Sequence, residues 1–141
     1  MTPPRTPRIA LVALELCMGV VALFCGLILV TGQAGRLLGM QQGVPDGTPF
    51  TNFVMPGILL ALAVGGSQIA AARGELRRAR WAATASLLAG GVLMGWIVGE
   101  VALLGWIAPR GLQPFCFAYG ELEVALALCW LPCRHLSHQP R

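Results

Sequence analysis

The stretch 81–107 constrains the fold of this chain more than any other part of the sequence. It is predominantly apolar and holds a single charged residue, Glu100. As an α-helix at about 1.5 Å per residue it would be roughly 40 Å long, which exceeds the ~30 Å hydrocarbon core of a membrane. Trp81 and Trp106 lie near its ends, where indole rings favour the membrane–water interface. The stretch therefore predicts a membrane-spanning helix.

Three further apolar stretches, at 9–30, 50–72 and 115–131, predict three more spans. The chain is 56% hydrophobic and only 11% charged, whereas a soluble domain carries about 25% charged residues. A cleaved signal peptide is the alternative for the first stretch, but that stretch is longer than a signal-peptide core and is interrupted by Glu15. We expect an all-α fold, an integral membrane four-helix bundle that forms a single domain over residues 1–141.

The segments between the spans carry turn and loop signals. A glycine-rich connection at 31–49 contains Pro45, Asp46 and Gly47, and a two-proline hairpin is predicted at 108–114. The proline-rich tail at 1–8 is predicted to be disordered, and 73–80 is predicted to be a short basic loop. Pro56 indicates either that the second helix begins nearby or that it is kinked there.

The distribution of arginine predicts the orientation. All ten basic residues are arginine, and they divide between the two ends of the predicted bundle. One end has Arg5, Arg8, Arg73, Arg77, Arg78, Arg80, Arg134 and Arg141, and the other has Arg36 and Arg110. The positive-inside rule places both termini in the cytoplasm and the glycine-rich loop outside. Because the arginines flank apolar runs, they indicate contact with a lipid bilayer and not with nucleic acid.

Two rows of small residues recur at four-residue spacing and predict helix contacts. They are Gly57, Ala61 and Gly65 in the second span, and Gly91, Gly95 and Gly99 in the third. Such faces let two helix backbones approach closely where lipid supplies no hydrophobic driving force. We expect the two faces to pack against each other.

Four glutamates lie within the predicted spans, where a charge costs about 2.5–3.5 kcal/mol at the helix centre. Glu100 and Glu121 are placed symmetrically about the hairpin, which predicts an outer polar layer together with Trp96 and Tyr119. Glu15 is predicted to form an inner layer with Gln68.

Glu121 and Glu123 point in directions about 200° apart on a helix, so they cannot both face the interior, and the sequence leaves open which one does. These carboxyls are either hydrogen-bonded contacts between helices, or a site for protons, ions or substrate, or groups that face lipid headgroups. Glu100, which follows the glycine row and lies one turn from Trp96, is predicted to be the most consequential of them.

The remaining reactive residues do not indicate catalysis. The five cysteines include no C-x-x-C pair, and Pro132 interrupts the spacing of Cys129, Cys133, His135 and His138. The sequence holds no nucleophile triad, phosphate loop or zinc-protease motif. We expect no enzymatic activity, no cofactor and no metal.

The sequence resembles two groups of small membrane proteins. The segment from Gly95 to Glu100, followed by Leu112 to Phe115 and by Tyr119 to Glu121, resembles the second half of small uncharacterised four-span bacterial membrane proteins, for which no activity is implied. Four spans with Glu15 in the first also resemble the small multidrug resistance transporters, in which a first-span glutamate couples protons to cation export. Only Glu15 matches that family, and the first loop is longer here.

The leading expectation is a small multi-pass protein of the bacterial inner membrane with a structural or accessory role. It would act through helix contacts with a second copy of itself or with another membrane subunit. The alternative is a small proton-linked transporter or channel that uses the intramembrane carboxyls. The absence of lysine and the abundance of alanine, glycine and leucine are typical of a GC-rich bacterial genome.

Overall fold

The computed structural model describes residues 5–33, 49–50, 52–105 and 112–135. This part of the chain forms four helices: α1 (Arg5–Val30), α2 (Val54–Leu76), α3 (Ala82–Leu104) and α4 (Leu112–His135). Each helix contains a segment long and apolar enough to cross a membrane. The prediction of an all-helical chain with four such helices is confirmed. Most of the predicted glycine-rich loop and hairpin, and Trp106 and His138, lie outside the described residues.

The helix boundaries differ from the predicted spans in ways that proline chemistry explains. α1 begins at Arg5, inside the predicted disordered tail, because Pro7 is tolerated in a first helical turn. α2 begins at Val54, so Pro56 also lies in a first turn and does not kink the helix. α2 continues to Leu76, four residues past its predicted end, which brings Glu75 into the helix.

A π-helical segment interrupts α2. The segment Leu60–Gly65 is π-helical and lies between the α-helical parts Val54–Leu59 and Gly66–Leu76. A π turn contains more residues than an α turn, so it rotates all following side chains about the helix axis. The direction of Gln68, which follows this segment, therefore cannot be read from a regular helical spacing.

The four helices pack in a ring. α1 packs along α2, α2 along α3 and α3 along α4, and α4 closes the ring against α1. α1 and α3 therefore face each other diagonally, and so do α2 and α4. Side chains at the centre of the ring come from all four helices.

Glycines lie at the closest contacts between helices, but these contacts differ from the predicted ones. A Cβ added to Gly57 would lie 2.8 Å from the carbonyl oxygen of Gly26, so the Gly57 face packs against α1 and not α3. Ala61 belongs to the same contact, since a Cβ on Gly26 would lie 2.8 Å from its Cβ. A Cβ on Gly65 would meet Leu23 of α1 at 3.0 Å.

The predicted glycine face of α3 makes no close contact with the rest of the described residues. A Cβ added to Gly91, Gly95 or Gly99 would have no other atom within 4 Å. The glycine that α3 uses is Gly90, one residue earlier, because a Cβ there would lie 3.0 Å from the carbonyl oxygen of Gly120 in α4. One residue is a rotation of about 100° on a helix, so Gly91 lies outside the contact with α4. Gly95 and Gly99 border a cavity that separates them from Pro56 and Leu59 of α2.

The outer surface is apolar on all four helices. Large exposed side chains include Phe24 on α1, Leu62 on α2, Leu88 on α3 and Phe115 on α4. A surface of this kind is costly in water and suits a hydrocarbon environment. The centre, by contrast, contains polar residues as well as small clusters of apolar ones.

Adjacent glycines in α3 provide a matched test of this packing. Gly90→Ala should destabilise the protein by about 1–3 kcal/mol, because its Cβ would be forced against Val124 and Gly120. Gly91→Ala should be neutral or stabilise by up to ~1 kcal/mol, because its Cβ enters open space and alanine favours the helix. Thermal unfolding in detergent measures both; equal melting temperatures for the two variants would contradict the register of α3 on α4.

Candidate functional site at the centre of the helix ring

Each helix contributes one polar residue to a layer at the centre of the ring, which we call the central layer. It consists of Glu15 from α1, Gln68 from α2, Ser86 from α3 and Glu123 from α4. All four side chains are fully buried. At about 1.5 Å per residue they lie roughly 6–18 Å from the ends of their helices at the arginine-rich side. The structure thus brings the predicted inner pair, Glu15 and Gln68, into one site with two residues that the sequence did not assign to it.

The strongest contact of the central layer crosses the ring. The Gln68 side-chain amide donates a hydrogen bond of 2.7 Å from Nε2 to Oε2 of Glu123. Because α2 and α4 are diagonal, this bond connects helices whose backbones do not otherwise meet. On the other diagonal, the Ser86 side chain approaches the Glu15 carboxyl, while its hydroxyl donates to the Ala82 carbonyl at 3.2 Å.

Several acceptors of the central layer are not satisfied. Among the described residues, neither oxygen of Glu15 has a hydrogen bond of good geometry, and Oε1 of Glu123 and Oε1 of Gln68 also have none. Glu15 and Glu123 lie within electrostatic range of each other, and neither forms an ion pair within the described part of the chain. A buried acceptor without a partner costs about 1–3 kcal/mol, more if it is charged.

A third buried carboxyl lies between the central layer and the arginine-rich end. Glu75 is in the last turn of α2, is fully buried, and lies within electrostatic range of Glu15. Its backbone carbonyl accepts a hydrogen bond of 2.9 Å from Nε of Arg8. The sequence analysis assigned Glu75 to the short basic loop at 73–80, because the predicted second span ended at 72.

Glu100 lies at the opposite end of the ring in a cavity of about 220 Å³. The cavity is lined mainly by apolar side chains, among them Phe50 and Phe53, and by Gly95 and Gly99. The side chains of Gln113 and Trp96 approach the carboxyl as hydrogen-bond donors. Glu100 is thus supported by the indole that the sequence predicted and by a residue of α4 that it did not.

The predicted outer layer is not assembled as expected. Glu121 is on the exposed face of α4, away from Glu100, while Glu123 is buried. The Tyr119 hydroxyl donates a hydrogen bond of 2.8 Å to the Leu14 carbonyl of α1 instead of meeting a carboxyl. The two residues therefore do not pair with Glu100, and Glu123 is the glutamate of α4 that faces the interior.

One signal in the sequence could have identified Glu123. Gly120, Glu123, Ala127 and Trp130 follow one another at spacings of three or four and are all buried. Glu121 does not belong to this row. Ser86 had no comparable signal, because a serine in a helix commonly bonds to its own backbone, as Ser86 also does.

Comparison with known proteins identifies no relative of this chain. No family model, no curated protein and no solved structure matches this chain. In the described residues, no group of three or more His, Cys, Asp or Glu side chains is placed to hold a metal ion.

Removing the amide of Gln68 tests the central layer directly. Gln68→Leu should destabilise the protein by about 1–3 kcal/mol, because Oε2 of Glu123 would then be left buried without a donor. Ser67→Ala is the matched control, since the Ser67 hydroxyl bonds only within α2, to the Val64 carbonyl. Denaturation in mixed detergent measures the stability of both variants. If Ser67→Ala lost as much stability as Gln68→Leu, the bond across the ring would contribute nothing of its own.

Proposed function

We propose that the protein is a multi-pass protein of the bacterial inner membrane, without enzymatic activity, whose central layer binds and releases protons. It would act as a small proton-linked transporter or channel. The observation that carries the proposal is the pair Glu15 and Glu123, two fully buried carboxyls near each other with unfilled acceptor positions and no ion-pair partner among the described residues.

Physical chemistry favours proton exchange at such a pair. Two full negative charges close together in a medium of low dielectric constant repel each other and are poorly solvated. Two carboxyls within electrostatic range of each other under these conditions hold one negative charge between them more readily than two. Gln68 bonds only one oxygen of Glu123, which leaves the other oxygen available to carry a proton.

A purely structural role explains the central layer less well. Polar contacts between membrane helices contribute about 0.6–2 kcal/mol when both partners are satisfied. Here the unsatisfied oxygens of Glu15 and Glu123 cost a comparable amount, so the layer adds little net stability. Apolar residues of similar volume would stabilise such a centre at least as well. Ionisable residues kept under these conditions commonly mark a path for protons or ions.

The position of Glu75 supports a route to one end of the helices. Glu75 follows Gln68 by about two turns, which places it roughly 10 Å nearer the arginine-rich end. Glu123, Glu15 and Glu75 thus form a series of buried carboxyls from the centre towards that end. The arginine distribution supports an orientation in which this end and both termini are cytoplasmic.

Proton flux in reconstituted vesicles tests the proposal. We expect purified protein in liposomes to dissipate an imposed pH gradient, read by a pH-sensitive dye inside the vesicles. Glu123→Gln should abolish the flux, because an amide still bonds but cannot exchange a proton. Glu121→Gln is the matched control on the same helix and should leave the flux unchanged, because Glu121 lies on the exposed face.

Two results would contradict this proposal. The first is a flux that survives in both Glu15→Gln and Glu123→Gln. The second is that the wild-type protein shows no proton flux and that the infrared absorption of its carboxyl groups does not change with pH. Melting of each variant in detergent establishes beforehand that it is folded.

The accessory role remains a second candidate because of the unoccupied face on α3. Gly91, Gly95 and Gly99 are open in this chain, although glycines at this spacing favour close contact with another helix. A second copy of the chain or another membrane subunit would cover that face.

Light scattering in detergent tests self-association through this face. We expect a dimer that Gly91→Leu converts to a monomer, because the leucine would hold two backbones apart. Leu88→Ala controls for a general loss of apolar surface from α3. A monomeric wild-type protein would exclude the second copy as the occupant.

A further inference from the structure

A groove between α1 and α2 at the arginine-rich end combines two cations with an apolar wall. Its volume is about 570 Å³. Arg8 and Arg78 line it, and the rest of its lining is apolar, including Ile9, Ala13, Leu16 and Leu76. The groove is separate from the central layer, because the carboxyls of that layer are buried on the inner side of the same helices.

Arg8 is held in position by the end of α2. Its Nε donates to the Glu75 carbonyl at 2.9 Å and its Nη2 to the Leu76 carbonyl at 3.5 Å. These carbonyls are in the last turn of a helix, where the regular series of helical N–H partners ends. A guanidinium has five N–H groups, so these two bonds fix its position and leave it able to donate to an anion as well.

Arg78 reaches the same groove from the turn after α2. Among the described residues other than glycine, Arg78 is the one with a left-handed backbone conformation, with φ at 54°. Its backbone N–H donates to the Glu75 carbonyl at 3.1 Å, as part of the hydrogen bonds that close the turn. The turn therefore places a second positive side chain beside the one that α1 provides.

The level of the groove along the helices matches an interface between water and hydrocarbon. The part of α1 that is apolar enough to cross a membrane begins at Arg8. The corresponding part of α2 ends at Leu76. The cations thus lie where both helices leave the apolar zone, and Ile9, Ala13 and Leu16 continue from them into that zone. Ile9 and Leu76 are each more than half exposed, so the apolar wall is open to the surroundings.

We propose that this groove binds an anionic phospholipid, with the phosphate between Arg8 and Arg78 and an acyl chain along Ile9, Ala13 and Leu16. The charge of the lining residues selects a negative headgroup, and the apolar wall selects a molecule with a hydrocarbon chain. Basic pockets between membrane helices at the cytoplasmic side recognise such headgroups by the same chemistry. The inference does not depend on the proposed proton transfer, because it concerns other side chains.

Lipid binding to the purified protein in detergent tests this inference, read by native mass spectrometry. We expect phosphatidylglycerol to bind about tenfold more tightly than phosphatidylcholine with the same acyl chains. Arg78→Gln should reduce that preference about fivefold. Arg77→Gln is the matched control, since Arg77 is an exposed neighbour that does not line the groove, and it should leave the preference unchanged.

Two further arms separate the lipid from other sources of phosphate. Glycerol 3-phosphate, which has the charge but no acyl chain, should not compete for the groove; effective competition would show a site for free phosphate compounds and overturn the proposal. Ala13→Phe should weaken binding of phosphatidylglycerol, because the ring would occupy the apolar wall.

Equal binding of the two lipids, or equal losses in Arg77→Gln and Arg78→Gln, would also overturn the proposal. Should Ala13→Phe fail to fold, the arginine pair alone decides the outcome. Glu123→Gln, which bears on proton flux, should bind the lipid as the wild type does.

Discussion

The hydrogen bond between Gln68 and Glu123 is the constraint on which the rest of the structure depends. It joins two diagonal helices at the centre of the ring, where a mismatch of one residue would turn either side chain away by about 100°. The π-helical segment Leu60–Gly65 ends three residues before Gln68 and rotates it about the axis of α2. Because a buried polar group is costly without a partner, this bond selects one rotation of α2 relative to α4.

Close approach of the neighbouring helices makes that bond across the ring reachable. Gly26 packs against Gly57, and Gly90 packs against Gly120. At both contacts the two helix backbones are so close that an added methyl group would clash. The resulting ring is narrow enough for side chains from opposite helices to meet. Packing by small residues and polar contact at the centre therefore support each other, while many large apolar side chains, such as Leu62 and Leu88, face outward.

The two ends of the molecule differ in their chemistry. At the arginine-rich end, Arg8 closes the carbonyl end of α2 and forms part of a groove suited to an anionic lipid, while Glu75 lies buried behind it. At the other end, Glu100 lies in a mainly apolar cavity with Trp96 and Gln113. The central layer is closer to the arginine-rich end, so the proposed proton site and the proposed lipid site share the same region of α1 and α2.

The sequence by itself determined the helical class, the four membrane-length segments and the common level of Glu15 and Gln68 along the helices. These follow from hydropathy, length and depth along a helix, which are local properties. Only the tertiary structure decided which face of each helix is used. It placed Gly90 in the contact between α3 and α4, whereas the predicted face of Gly91, Gly95 and Gly99 makes no close contact with α2. It also decided that Glu123, and not Glu121, faces the interior, which the sequence had left open. The physical reason is that apolar residues surround each of these helices almost evenly, so hydropathy specifies that the helices are able to cross a membrane but not how they are rotated. That rotation is decided by contacts between residues far apart in the chain.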